Sequence, residues 1–173
     1  VMHLSLPANK QADISITNIF DQGTGDSITF GEDGFSAKEV KINGKTVNFA
    51  EYVTDNKLDT RLPLVADYYG AKVNISFQSV DEDNKEVHFY APVFAGMEYK
   101  HAKPVSNYVS AFTSQMPNGS SDKILFSCNC ILNYLYSELE GKKTGDVTGP
   151  MTFGEVAYQL LNQTLVYLNI EDA

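Results

Sequence analysis

Two cysteines, Cys128 and Cys130, stand in a C-x-C arrangement at the end of the apolar run Lys123-Ile-Leu-Phe-Ser-Cys-Asn-Cys130. Thiols so placed can serve as a nucleophile, as metal ligands or as packing. A bridge between them would close a strained ring. Structural zinc wants about four ligands and there is no second cysteine pair, so no metal is expected. His3, His88 and His101 lie far off in sequence and show no partnering pattern, leaving Cys128 without an evident base. A helix N-terminus beside Cys128 would lower its thiol pKa. Small cysteines also fill strand–helix junctions, and packing is the preferred reading over catalysis.

Downstream lie Thr152-Phe-Gly-Glu155 and Asn162-Gln-Thr-Leu165. Gly154 lets a ligand or another backbone come close, and the Glu155 carboxylate can hold a ligand's ammonium group. The alternative is a satisfied polar residue at a strand bend. Asn162 and Gln163 can exchange hydrogen bonds with a ligand or cap the turn before the last strand, and the turn is favoured.

The elements that must position these residues are read from periodicity. Ala12 to Ile19 alternates as a strand, and Ser27 to Phe30 is a second. Glu39 to Phe49 is a hairpin, because Asn43-Gly44 supplies the two positive-φ residues of a type I′ turn. Ala50 to Asp59 is a short helix or loop ended by Pro63. Ala71 to Val80, with Val73, Ile75 and Phe77 on one face, pairs across the polar turn Asp81 to Lys85 with Glu86 to Phe94, and Gly96 breaks the hairpin. Val105, Tyr108, Val109, Phe112 and Met116 follow helical spacing after Pro104. Ile124 to Phe126 reads as a short buried strand. Asn129 would then cap a helix from Cys130 to Leu139, ended by Gly141. Met151 to Val156 and Thr164 to Ile170 read as strands able to pair. The fold expected is α+β, a mainly antiparallel sheet built from hairpins and packed against two amphipathic helices, in a single domain over residues 1–173.

A chain of 173 residues with 43% hydrophobic content can bury its own core. Its net charge of −9, from 22 acids against 13 bases, would repel phosphate backbones and anionic lipids, so neither nucleic acid nor membrane is expected as a partner. No apolar run approaches the roughly 18 residues of a membrane span. Val1 to Pro7 has no basic region and too short an apolar stretch for a signal peptide, and the cysteines form no disulfide framework. Cytoplasm is the expected compartment.

Leu125-Phe-Ser-Cys128 after an amphipathic helix, then Gly149 to Phe153, Gly154-Glu155 and Asn162-Gln-Thr-Leu-Val166, resembles the C-terminal half of the FIST sensory domain. Ala91-Pro-Val-Phe-Ala-Gly96 resembles the stretch leading into that family's helix. The resemblance covers about Ala71 to Ile170. It implies a non-enzymatic intracellular domain that binds a small ligand such as an amino acid, with no cofactor. The ligand set would be Cys128, Asn129, Phe153, Gly154, Glu155, Asn162 and Gln163. Where that family commonly carries a Gly-Arg pair after its cysteine, this chain has Asn129-Cys-Ile-Leu132, so an arginine partner for a ligand carboxylate is missing. The chain is also shorter than a two-half FIST protein, which implies a piece of a larger protein or a stand-alone relative. Two rival classes remain: a module binding a partner chain or a second copy through strand edges and tyrosines, and a thiol-dependent enzyme using Cys128.

Overall fold

A computed structural model describes residues 3, 5–68, 70–115, 124–136, 139–142, 149–157 and 159–173, the side chain of Gln159 excepted. The chain runs through β1 (Lys10–Thr17), β2 (Ile28–Phe30), β3 (Gly34–Ala37), β4 (Glu39–Ile42), β5 (Lys45–Asn48), α1 (Phe49–Asp55), β6 (Leu64–Tyr68) and β7 (Ala71–Ile75). Next come β8 (Phe77–Asp81), β9 (Glu86–Val93), β10 (Glu98–His101), α2 (Tyr108–Gln115), β11 (Ile124–Cys130) and α3 (Ile131–Tyr136). It ends with β12 (Met151–Thr152), β13 (Glu155–Ala157), β14 (Gln159–Leu161) and β15 (Leu165–Asp172). The architecture is α+β, strand-rich and mainly antiparallel. Among the described residues no helix is long and apolar enough to cross a membrane.

The chain divides into two compact units, one of Val1–Ile19, Asn107–Gln159 and Thr164–Ala173, the other of Phe20–Ser106 and Leu160–Gln163. The second unit combines three local hairpins, β4–β5, β6–β7 and β8–β9, with pairings between segments distant in sequence, β2 with β10, β10 with β6 and β3 with β9. Its six-stranded sheet has the order β5-β4-β2-β10-β6-β7 and its three-stranded sheet the order β3-β9-β8. The β4–β5 hairpin turns at Asn43 and Gly44, whose φ of 49° and 84° meet the demand of a two-residue turn. Lys85, at φ 53°, closes the β8–β9 hairpin in which Asp81 faces Glu86. Val87, Phe89, Ala91 and Val93 are all buried, as the alternation of β9 predicts. Phe30 sits among Phe49, Phe89 and Tyr99, edge-on to each at centroid distances of 5.8, 5.7 and 5.3 Å. Such geometry suits aromatic quadrupoles as well as burial. The α1 helix starts at Asn48, whose side chain accepts from the Glu51 N–H and donates to the carbonyls of Lys38 and Lys85.

In one respect the second unit departs from its sequence. The predicted strand Ala71 to Val80 is broken at Ser76, because Asn74 and Ser76 turn their polar side chains to buried partners and are themselves buried.

The first unit carries a sheet of order β1-β15-β11-β12. The last strand pairs antiparallel with β1 from Lys10–Asp172 to Thr17–Leu165, and with β11 on its other edge. It therefore does not pair with Met151–Thr152, which runs parallel to β11 instead. The predicted buried strand Ile124 to Phe126 is longer and open, with Leu125 and Phe126 each 53% exposed. Asn129 and Cys130 belong to that strand, so Asn129 is not a helix cap, and α3 begins at Ile131. The helix predicted after Pro104 begins at Tyr108, because the Asn107 side chain accepts from the Ser110 N–H and sets the start there. Met116 and residues 137–138 lie outside the described residues.

Candidate functional site

Glu155 opens β13 at the end of the turn Thr152-Phe-Gly-Glu155. Gly154 there has φ +135°, a conformation that favours glycine. The turn is held to β11 by backbone contacts upstream of it. Asn129 donates its N–H to the Pro150 carbonyl at 3.2 Å. A Cβ on Gly149 would collide with the Ser127 carbonyl, so only glycine lets the chain lie this close to the strand. Sequence and packing thus bring a carboxylate inside while Phe153, two residues before it, stays 91% exposed.

The Glu155 carboxylate is 2% exposed. Thr152 Oγ1 donates to its Oε1 at 2.6 Å, and Thr164 Oγ1 donates to its Oε2 at 2.9 Å. Among the described residues no Lys, Arg or His is paired with it. Burial disfavours the charged form and pushes the carboxyl up to about 7, against which the two threonine hydroxyls pull it down. A carboxyl so placed titrates around neutrality and holds either a proton or a negative charge that lacks a counter-ion.

Around it lies a polar network on the buried side of the sheet. Thr152 Oγ1 is also 3.3 Å from the Asn129 carbonyl. The Asn129 side chain accepts from Asn133 Nδ2 at 2.9 Å. Thr164, besides its hydroxyl bond, accepts the Cys130 N–H at 3.1 Å. Ser127, Asn129, Asn133, Thr164 and Glu155 are all buried, and the Oδ1 atom of Asn133 has no hydrogen-bond partner. Buried acceptors left open are a cost that only a donor can remove.

Cys128 is half-buried on β11, its thiol pushed up by burial and by the charge of Glu155. The expected lowering by a helix N-terminus does not occur, because Cys128 lies inside the strand and α3 starts three residues later. Cys130 is fully buried. No group of three or more His, Cys, Asp and Glu able to hold a metal occurs among the described residues.

Of the residues singled out from sequence, Cys128, Asn129, Phe153, Gly154 and Glu155 belong to the first unit, whereas Asn162 and Gln163 belong to the second. Gln163 is fully buried at φ 48°, accepting from Ser76 Oγ at 2.7 Å and donating to the Arg61 carbonyl at 2.9 Å. Asn162 offers its carbonyl to Asn74 Nδ2 at 3.1 Å, while its own Oδ1 is buried without a partner. These side chains fasten the segment Leu160–Gln163 within the second unit. The second unit also has an open cleft of about 750 Å³, walled by Phe30, Ser36, Lys38, Asn48, Lys85 and Glu86. Its lysines are already paired, Lys38 with Glu86 and Lys85 with Glu51.

Thr152 and Thr164, the residues that hold Glu155, escape a reading centred on charged and thiol groups. The Thr-x-x-Glu spacing was the available signal, since a hydroxyl three residues before a carboxylate can close a turn onto it. No curated protein and no solved structure matches the chain. A family model matches residues 1–171, nearly the whole length, and the chain accordingly belongs to a family of unknown function, DUF6976.

Proposed function

We propose that the chain is a non-enzymatic cytoplasmic sensory domain of FIST-like kind that binds a small metabolite bearing an amino group, such as an amino acid. The observation that carries this reading is Glu155, a buried carboxylate held by two neutral hydroxyls and no cation. A buried charge without a partner is costly, and an arriving ammonium group would offset that cost. Phe153 and Gly154 lie on the turn that leads into Glu155, and Cys128 and Asn129 on β11, in keeping with the ligand set the resemblance implies. Asn162 and Gln163 are retained in that set on the resemblance alone. In the same reading α2 and α3, through buried Phe112 and Leu132, are the two amphipathic helices of the first unit's sheet. The net charge of −9 favours a small cationic or zwitterionic ligand over nucleic acid or an anionic membrane.

Thermal unfolding in the presence of individual amino acids and of methylamine tests this. A ligand that binds the folded state alone stabilises it by about 2.7 kcal/mol at a hundredfold excess over Kd. The reading expects at least one amine-bearing compound to raise Tm in the wild type and to do so far less in Glu155→Gln. No shift with any of them, or equal shifts in both proteins, would count against it.

A second reading, a module for a partner chain or a second copy, draws on the open side of the first unit's sheet. Ile14, Ile16 and Phe126 are 39%, 40% and 53% exposed, and β1 lies at the sheet's edge. Mass that rises with concentration would favour it. The thiol-enzyme reading is the weakest, because burial and Glu155 keep Cys128 protonated.

A further inference from the structure

A threonine hydroxyl has one proton to give, yet Thr152 Oγ1 faces two acceptors, Glu155 Oε1 at 2.6 Å and the Asn129 carbonyl at 3.3 Å. While Glu155 is ionised the short contact claims that proton, and the Asn129 carbonyl loses this donor. If Oε1 carries a proton it becomes the donor to Thr152 Oγ1, and the threonine proton is released to point at Asn129. We infer that Thr152 is a hydroxyl switch, its direction set by whether Glu155 is protonated and its second position a bond to the carbonyl of Asn129. No covalent bond changes: one proton passes between Glu155 and solvent, and the Thr152 O–H rotates.

The geometry gives the switch somewhere to report. Asn129 is the last residue but one of β11, and its side chain holds Asn133 of α3 at 2.9 Å. On the other side Thr152 begins the turn that carries exposed Phe153. The switch therefore joins the turn to the β11–α3 junction when Glu155 is neutral and slackens that link when it is charged. The groups that titrate on the elements packed against β13 are Cys128 and Cys130 on β11, Tyr167 on the buried side of β15, and Glu171 and Asp172 at its far end. None of them brings a positive charge that would hold Glu155 ionised, and burial places its titration in the neutral range, where the cell's own pH variation can act on it. The switch needs no ligand, so it stands or falls separately from the ligand reading.

Nuclear magnetic resonance on the intact, isotopically labelled chain tests it without added ligand. The Glu155 carboxyl carbon and the amides of Asn129, Cys130 and Thr152 are followed from about pH 5 to about pH 9, a range that spans neutral titration. In the wild type the amides are expected to move with the same midpoint as the carboxyl. In Thr152→Val the carboxyl still titrates, at a higher midpoint because a donor to the ionised form is gone, while the Asn129 and Cys130 amides lose most of their pH response. Thr152→Ser, which keeps the hydroxyl, retains it. The inference is overturned if the wild-type amides stay flat while Glu155 titrates, or if they respond equally in Thr152→Val. Should the valine variant not fold, Thr152→Ala, which also lacks the hydroxyl, makes the same comparison.

Discussion

The second unit buries Phe20, Phe49, Phe77, Phe89 and Tyr99, and none of its carboxylates is buried among the described residues. Both units enclose neutral polar side chains, Asn74, Ser76, Asn162 and Gln163 in the second and Asn129, Asn133 and Thr164 in the first. The first alone encloses a carboxylate among the described residues, Glu155, while its Leu135, Val156 and Phe153 are 59%, 82% and 91% exposed. Apolar burial stabilises at about 25 cal/mol per Å², so a fold shaped by stability alone resembles the second unit. Enclosed polar groups and uncovered apolar ones cost stability, and such departures gather where a protein does something besides fold. On the proposed reading, the enclosed carboxylate places the ligand site in the first unit and leaves the second as scaffold.

Truncation gives the largest expected difference between them. Phe49→Ala or Phe89→Ala opens a cavity inside an aromatic cluster and should cost about 3–5 kcal/mol in chemical denaturation, whereas Phe153→Ala should stay within about 0.5 kcal/mol. A large loss for Phe153→Ala would break the division.

Glu155→Gln comes next and has the opposite sign. Because the folded-state pKa of about 7 lies above the ordinary 4.5, the folded chain holds its proton longer than the unfolded one. Stability therefore falls as pH rises between those values and stays reduced above them. Replacing the acid by an amide removes that penalty, so the variant should match the wild type near the low end and exceed it by up to about 3 kcal/mol at alkaline pH. Denaturation curves at the two extremes check this, and a variant less stable than the wild type at alkaline pH would mean that the charge is compensated after all.

Asn48→Ala should cost about 1–2 kcal/mol by removing the cap of α1 and a donor to two carbonyls. Smallest is a rate: Cys128 should alkylate slowly at neutral pH, and somewhat faster in Glu155→Gln, which removes a charge that opposes the thiolate. Rapid, selective labelling of the wild type would reinstate the thiol as chemistry.

The same contrast governs what the sequence disclosed. Asn43-Gly44 and Asp81 to Lys85 are local turn signals, and the strands flanking them pair with each other, so the hairpins of the second unit are readable from neighbours alone. The last strand pairs with β1, at the other end of the chain, and no local pattern announces so distant a partner. Phe126 looks like core in a linear reading because its neighbours are apolar, yet its side of β11 is left open. Gly154 and Glu155 were legible as a place where backbone and carboxylate matter. That the carboxylate is enclosed, and by which hydroxyls, depends on Thr164 arriving from beyond β14, which spacing does not reveal.

The most direct measurement is the titration of the Glu155 side chain itself, followed through its carboxyl carbon in the intact protein. A midpoint near 7 is the result this account predicts. A midpoint in the ordinary carboxylate range, about 4, would show a solvated or charge-paired acid and contradict it.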